Sequence, residues 1–300
     1  MSAFTGAAVE RAPAKVNLAL HVTGRRSDGY HLLDSIVCFP DCGDTLAATP
    51  APALSLAIEG PFAAAIDAGP SNLVLRAAAL LAGDDAERDG DAPSRHEGRG
   101  ARLRLKKALP VASGIGGGSA DAAATLRLLA RFWDRPLPAP VEAAALGADV
   151  PACLLSRPLR MQGIGERLAP VDLPSFWIVL VNPGRPVATP AIFAALDCRD
   201  NPPLPELPDR PSAAIFLDWL ARATRNDLEA AARKVEPAIG MVIAALSSLP
   251  GCRVARMSGS GATCFGLFTS RLDAEAAAVA LSLAEPSWWV AAAPAQGPAP

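Results

Sequence analysis

Four glycines in five positions, Gly114, Gly116, Gly117 and Gly118, sit in the run SGIGGGS (113–119). Nothing else in the chain constrains it as much. Ahead of the run, ARLRLK (101–106) alternates apolar and charged residues with the period of a strand. Behind it, Ala122, Thr125, Leu126, Leu129, Phe132 and Trp133 recur at helical spacing, and Pro136 marks the stop. The order is therefore strand, glycine loop, helix. A backbone without side chains lets a ligand approach closely, and the first turn of the helix presents N–H groups and a partial positive charge, so an anion is favoured there, most often a phosphate. The run is not a Walker A element, because no Gly-Lys-Ser/Thr ending follows the glycines. It also departs from the dinucleotide fingerprint, which needs an acidic residue at the end of a second strand about 20 residues on.

A second local pattern lies near the start. In AKVNLALHV (14–22), Val16, Leu18, Leu20 and Val22 alternate with Lys15, Asn17 and His21, the pattern of a half-buried strand. Lys15 and Asn17 then share a face, about 7 Å apart at a rise of ~3.3 Å per residue. Asp28-Gly29 reads as a hairpin turn, placing Tyr30 and His31 at the start of the returning strand. Further on, the spacing predicts a helix after Asn72, a polar, mobile loop over 84–100, a helix over 139–146 ended by Gly147, and a strand over 177–181. The Pro-rich stretch 201–211 reads as a loop, 216–231 and 237–249 as helices, and ARMSGSGATCFGLF as strand, tight glycine turn, strand; the tail after Pro294 reads as frayed. No internal repeat is visible.

Composition narrows the classes. Three hundred residues with 51% hydrophobic and 19% charged content suit a globular chain of about two domains. A net charge of −2 argues against nucleic acid or an anionic membrane as a partner through bulk charge. No apolar stretch reaches the ~18 residues of a membrane span without a Gly or Pro break. Six scattered cysteines without a C-x-x-C pair, and three histidines, offer no zinc ligand set. With no signal or transit pattern at the N-terminus, the reading is reduced thiols in a cytoplasm.

Phosphoryl transfer needs a phosphate cradle, charge neutralisation, and a group that orients or deprotonates the attacking hydroxyl. Lys15, on the polar face of its strand, and Asp149, ahead of Val150-Pro151 at a helix start, are candidates for the last two tasks. Each also has a plainer reading, as a solvated strand lysine and as a helix N-cap.

Three segments, APAKVNLALHVTGRRSDGYH, LPVASGIGGGSADAAATL and RMSGSGATCFGLF, resemble in this order the three motifs of the GHMP kinases. LGADVPACL, GIGERLAPV, ATPAIF and RNDLEA extend the resemblance from about Ala12 to Phe268, nearly the whole chain. It implies an α+β, two-domain GHMP kinase fold: an N-terminal ribosomal-protein-S5-domain-2-like domain over 1–157, a C-terminal α/β domain over 158–300, and an active site in the cleft between them.

Within that superfamily, the resemblance carried by the GRRSDGYH hairpin and LGADVP implies ATP-dependent phosphorylation of the 2-hydroxyl of a cytidine-diphosphate-linked methylerythritol on the non-mevalonate route to isoprenoids. The resemblance assigns Lys15 and Asp149 to the catalytic pair: Asp149 would take or orient the hydroxyl proton, and Lys15 would hold Asp149 ionised and steady charge on the transferring phosphoryl group. Asn17 would contact the polyol or its phosphates. Tyr30 and Phe193 would sandwich the cytosine, His31 would bond its edge, and Thr189 would lie close by. Pro110, Val111, Ala112, Ser113, Gly114, Ile115, Gly116, Gly117, Gly118, Ser119 and Ala120 would wrap the ATP phosphates, with Asn72 and Lys107, or else Lys106, nearer the adenosine. The turn at 258–261 would close against that loop. Magnesium is implied with ATP, though its protein ligands are not identified. The partner is a small molecule, and the chain a monomer or homodimer. Other GHMP acceptors, such as homoserine, mevalonate or a sugar, and a non-catalytic nucleotide binder are the rival readings.

Overall fold

The computed structural model describes residues 7–83 and 100–295. The expected mobile loop over 84–100 lies outside the described residues save for Gly100, as does the end of the tail after residue 295. In chain order the strands are β1 (Ala8–Pro13), β2 (Val16–Arg25), β3 (His31–Cys38), β4 (Gly43–Pro50), β5 (Ser55–Glu59), β6 (Ala101–Lys106), β7 (Leu159–Gly163), β8 (Arg167–Pro170), β9 (Trp177–Asn182), β10 (Val254–Met257), β11 (Cys264–Phe268) and β12 (Trp289–Pro294). The helices are α1 (Leu73–Ala82), α2 (Gly117–Phe132), α3 (Pro140–Ala144), α4 (Val150–Leu155), α5 (Thr189–Ala194), α6 (Ala213–Ala223), α7 (Glu229–Val235), α8 (Ala238–Ser247) and α9 (Arg271–Ala284).

These elements form two compact units built from interleaved stretches. The first holds Met1–Pro13, Gly43–Val111 and Gly117–Leu155; the second holds Ala14–Cys42, Ala112–Gly116 and Ser156–Pro300. The last transfer, from Leu155 to Ser156, falls beside the 157/158 division of the sequence, whereas the earlier transfers have no counterpart in a two-way cut.

In the first unit a four-stranded sheet runs in the order β1-β4-β6-β5, antiparallel except for the parallel β5–β6 pair. β6 follows its sequence: Ala101, Leu103 and Leu105 are buried, while Arg102, Arg104 and Lys106 are exposed. Helix α2 packs on β1 and β4 and against α1 and α4. Asn72 caps α1, its Oδ1 accepting from the Val74 amide at 2.9 Å.

The second unit has two antiparallel sheets, β2-β3-β7-β8 and β10-β11-β9-β12. Its core runs from Leu20 and Val22 on β2 through Val179 and Val181 to Ile239, Val242 and Leu281. The Asp28-Gly29 hairpin forms as expected: Gly29 takes φ +94°, and β2 and β3 pair antiparallel.

Two expectations fail here. The polar face of β2 is not solvated, because Lys15, Asn17 and His21 are all buried. His21 shows why this is tolerated. Its Nε2 accepts from the Arg225 amide at 3.2 Å and its Nδ1 lies 2.9 Å from the Pro202 carbonyl oxygen, so the neutral ring has both nitrogens paired. Nor does one helix span 216–231. It breaks between Ala223 and Glu229 because residues 225–227 bond to β2: Leu20 donates to Arg225 O at 2.9 Å, and Asp227 donates back to Leu20 O at 2.8 Å. The freed end of α6 is capped by Arg256, whose guanidinium donates to Leu220 O and Thr224 O. Burial pushes that guanidinium down to about 10.

No helix among the described residues is long and apolar enough to cross a membrane. Six cysteines are free; Cys38, Cys153 and Cys264 are buried.

Candidate active site

The glycine loop is held by its carbonyls. Ser113 O accepts from the Thr263 amide at 3.1 Å, Gly114 O from the Ser258 hydroxyl at 3.1 Å, and Ile115 O from the Lys15 amide at 2.9 Å. In a planar trans peptide the N–H points opposite to the carbonyl. Fixing three successive carbonyls on one side therefore turns the N–H groups of Gly114, Ile115 and Gly116 to the other. Gly114 and Gly116 take φ of +75° and +64°, which only glycine adopts without strain. The chain then enters α2 at Gly117, adding that helix's own unpaired first-turn amides. Successive amides on one side of a loop are donors of the kind that hold an anion, as are those of a helix N-terminus.

The turn at 258–261 packs on this loop backbone to backbone. A methyl group on Gly114 would lie 2.6 Å from Gly261 O, and one on Gly259 would lie 2.8 Å from Gly114 O. Asn226 braces the turn, its Nδ2 donating to Met257 O at 2.8 Å and Gly259 O at 2.9 Å. Ser258 Oγ also accepts the Asn17 amide at 3.1 Å, so one hydroxyl ties turn, loop and β2 together.

Lys15 and Asn17 therefore stand in the second unit next to the glycine loop. The Asn17 amide group donates to Ser35 Oγ at 2.7 Å, and Ser35 Oγ donates to Ala19 O at 2.6 Å. Asp149 belongs to the first unit, directly ahead of α4, and its carbonyl accepts from the Cys153 amide at 3.0 Å. A methyl on Gly147, two residues earlier, would lie 3.6 Å from Ser119 Oγ, so this segment runs beside the first turn of α2.

The hairpin brings an aromatic group together. His31 stacks on Phe193 of α5, with centroids 4.6 Å apart and planes at 22°. His31 Nε2 is buried without a hydrogen-bond partner. Burial, then the charges of Arg25 and Arg199, hold this imidazole below the ordinary histidine value and favour the neutral ring. Tyr30 is 62% exposed beside it. The partner found on Phe193 is thus the histidine expected at the base edge, while Tyr30 stands clear. Thr189, at the start of α5, shares a hydrogen bond with Ser260 Oγ at 2.7 Å.

On the expected nucleotide side, two residues have other work. Asn72 spends its side chain on capping α1 and on a bond from Nδ2 to Asp67 O at 2.7 Å. Lys107, expected near the adenosine, is 2% exposed and ion-paired with both Asp44 and Asp121, because a buried ammonium must be neutralised. It is Lys106 that faces solvent. Ser258 was expected only as part of the turn at 258–261; sequence reasoning missed Asn226, Asp44 and Asp121, although Asn226 lies in RNDLEA and Asp121 in LPVASGIGGGSADAAATL, both already quoted.

Comparison with known proteins supplies the context. The GHMP kinases N terminal domain matches residues 72–157, and the GHMP kinases C terminal domain matches residues 209–285. A 4-diphosphocytidyl-2-C-methyl-D-erythritol kinase of Cereibacter sphaeroides is 55% identical over 282 residues, covering 93% of this chain and 96% of that protein. One of the same name from Paracoccus denitrificans is 55% identical over 285 residues, covering 94% and 95%. A crystal structure of a 4-(cytidine 5'-diphospho)-2C-methyl-D-erythritol kinase superposes with a TM-score of 0.78 at 34% identity, covering 96% of this chain and 100% of the other.

Proposed function

The chain belongs to the GHMP kinases, in the group of 4-diphosphocytidyl-2-C-methyl-D-erythritol kinases, and from this we propose that it transfers the terminal phosphoryl group of ATP to the 2-hydroxyl of 4-diphosphocytidyl-2-C-methyl-D-erythritol, on the non-mevalonate route to isoprenoid precursors. The observation that carries the reading is the loop of outward-facing amides at Gly114, Ile115 and Gly116, running into the N-terminus of α2. Such a cradle binds phosphates through fixed dipoles that need no reorganisation as charge shifts during transfer.

Transfer is direct, with no covalent enzyme intermediate. Asp149 takes or orients the proton of the attacking hydroxyl, and Lys15, whose amide is bonded to the phosphate loop, steadies charge on the moving phosphoryl group. A loose transition state asks little early deprotonation of Asp149, so its larger contribution is to aim the oxygen. His31 offers its unpartnered Nε2 to the edge of the cytosine, and Tyr30 and Phe193 supply aromatic faces for the ring. Asn17 and Thr189 border the acceptor.

Magnesium, when present, neutralises phosphate charge. Among the described residues no group of three or more His, Cys, Asp or Glu gathers that could hold a metal ion. The enzyme works on a small molecule in the cytoplasm, without nucleic acid, as a monomer or homodimer.

The test is ADP release with magnesium, ATP and the cytidine-linked acceptor, run beside Asp149→Asn. The expected result is turnover in the wild type and a loss of several orders of magnitude in the folded variant. Turnover on homoserine or mevalonate in place of the cytidine-linked acceptor would overturn the substrate, and ATP binding without turnover on any alcohol would overturn the kinase assignment.

A further inference from the structure

Beneath the first turn of α2 lies a charge cluster that the transfer chemistry does not use. The Lys107 ammonium is paired with Asp44 of β4, and with Asp121 of α2 at 2.7 Å. Asp44 is fully buried, and its other oxygen accepts the amides of Ala108 and Leu109 at 2.6 and 2.8 Å, where the chain leaves β6 toward the phosphate loop. Asp121 Oδ1 is buried with no hydrogen-bond partner. The cluster reaches the cradle itself, since a methyl on Gly117, the first residue of α2, would lie 3.1 Å from Lys107 Nζ.

Two carboxylates sharing one ammonium leave a net negative charge in a dry site, a costly arrangement unless one of them holds a proton. Asp44 accepts from two amides and the ammonium, so both its oxygens are taken. Asp121 has the vacant oxygen. Resting on the reading of the glycine loop as the ATP phosphate site, we propose that Asp121 is a positioning residue for the nucleotide: with Lys107 and Asp44 it forms a buried cluster under the start of α2 that takes up a proton when ATP phosphates settle on that helix end. The proton cancels the cluster's excess negative charge and so removes a repulsion against the incoming anion.

The charges around Asp121 agree with this assignment. Burial raises its carboxyl to about 7; Lys107 opposes that shift and Asp44 reinforces it. Of the charged groups on elements packed against α2, Glu10 of β1 pairs with Arg127 and Arg131, further along the helix. Arg11 of β1 receives an Arg127 bond on its carbonyl, Arg76 of α1 donates to Ala145 O at 3.4 Å, and Asp149 stands ahead of α4. The charges that bear on Asp121 are those of Lys107 and Asp44.

The experiment is titration calorimetry of the full chain with ATP and magnesium, at one pH near 7 in two buffers of different ionisation enthalpy, repeated across a pH series. The expected wild-type result is net proton uptake on binding, with Kd weakening roughly three- to tenfold between about pH 6.5 and 8. Asp121→Asn, neutral without a proton, should bind ATP with no uptake and a flat pH profile. Wild-type binding without proton exchange would overturn the proposal, and this arm stands even if the variant fails to fold. Uptake retained in a folded Asp121→Asn would also overturn it, by placing the proton elsewhere. If ATP does not bind at all, the phosphate-loop reading falls and this proposal with it, an outcome distinct from binding without a proton.

Discussion

Ser258 and Gly114 are joined by a single hydroxyl, which donates to the Gly114 carbonyl at 3.1 Å while accepting the Asn17 amide at 3.1 Å. The carbonyl it holds belongs to the same peptide as the Ile115 amide, so Ser258 helps aim one amide of the glycine loop. Ser258→Ala leaves the buried Asn17 amide without that acceptor and frees the Gly114 peptide to rotate. The expected cost is about 1–3 kcal/mol of stability, read from denaturant unfolding, with a raised KM for ATP and a KM for the acceptor that moves less. Gly114→Ala, which places a methyl against Gly261 O and imposes a positive φ on alanine, should be the more severe change. An ATP KM unaltered in both variants would show that the turn does not aim the loop.

The aromatic group separates acceptor recognition from nucleotide binding. Base–aromatic stacking contributes about 1–3 kcal/mol, so Tyr30→Ala should raise the KM for the cytidine-linked acceptor roughly five- to a hundredfold while the ATP KM stays within about twofold. An unchanged acceptor KM would remove Tyr30 from the stack and leave the observed His31–Phe193 pair as the recognition element.

A pH prediction follows from Asp34, buried on β3 and held by the fork of Arg160 at 2.8 and 2.6 Å and by the Leu204 amide at 3.1 Å. Burial alone would raise its carboxyl, but the Arg160 bonds and charge outweigh it and hold the group below the ordinary carboxylate value. A depressed acid contributes stability that is present above its unfolded value of about 4 and is lost as pH falls through the lower folded one. Arg160→Ala should therefore cost about 2–4 kcal/mol at neutral pH. The gap to wild type should narrow as pH falls below about 4. Urea unfolding at pH 7 and in acid measures both; a gap independent of pH would mean the loss comes from packing of the arginine stem.

What could be read from the sequence was what is local. The alternation of 101–106, the glycine run and the helix behind it, and the Asp28-Gly29 hairpin each lie within one short window, and each forms where its pattern says. The break between α6 and α7 had no local signal, because its cause is the pairing of residues 225–227 with Leu20, far away in the chain. Helix α9 was hidden for another reason. Its inward face is made of Ala274, Ala277 and Leu281, while Leu272, Val279 and Leu283 point outward, so the large apolar residues trace the wrong side.

The candidate site divides the same way. The glycine loop and the hairpin turn that places Tyr30 and His31 were legible because each lies in one short window, whereas the stack of His31 on Phe193 joins residues far apart in the chain. The pairing of Lys107 was not legible, since strand alternation carries no information about two aspartates contributed by β4 and α2. A lysine near a phosphate loop invites a ligand role, and only the fold shows that its charge is already shared.

The interleaving of the two units also shapes how the chain is made. β2 and β3 leave the ribosome early, yet β3 pairs with β7, which begins at Leu159, and the second sheet is complete only with β12 at Trp289–Pro294. The first unit has all its strands and helices once Leu155 has emerged, while the β2–β3 pair, which holds Asn17 and begins directly after Lys15, must wait with an unfilled edge until β7 follows. Non-local pairing of this kind folds slowly and exposes apolar strands during synthesis. Chains stalled or clipped short of β7 therefore carry β2 and β3 as an orphaned hairpin, a species suited to chaperone capture and not to turnover.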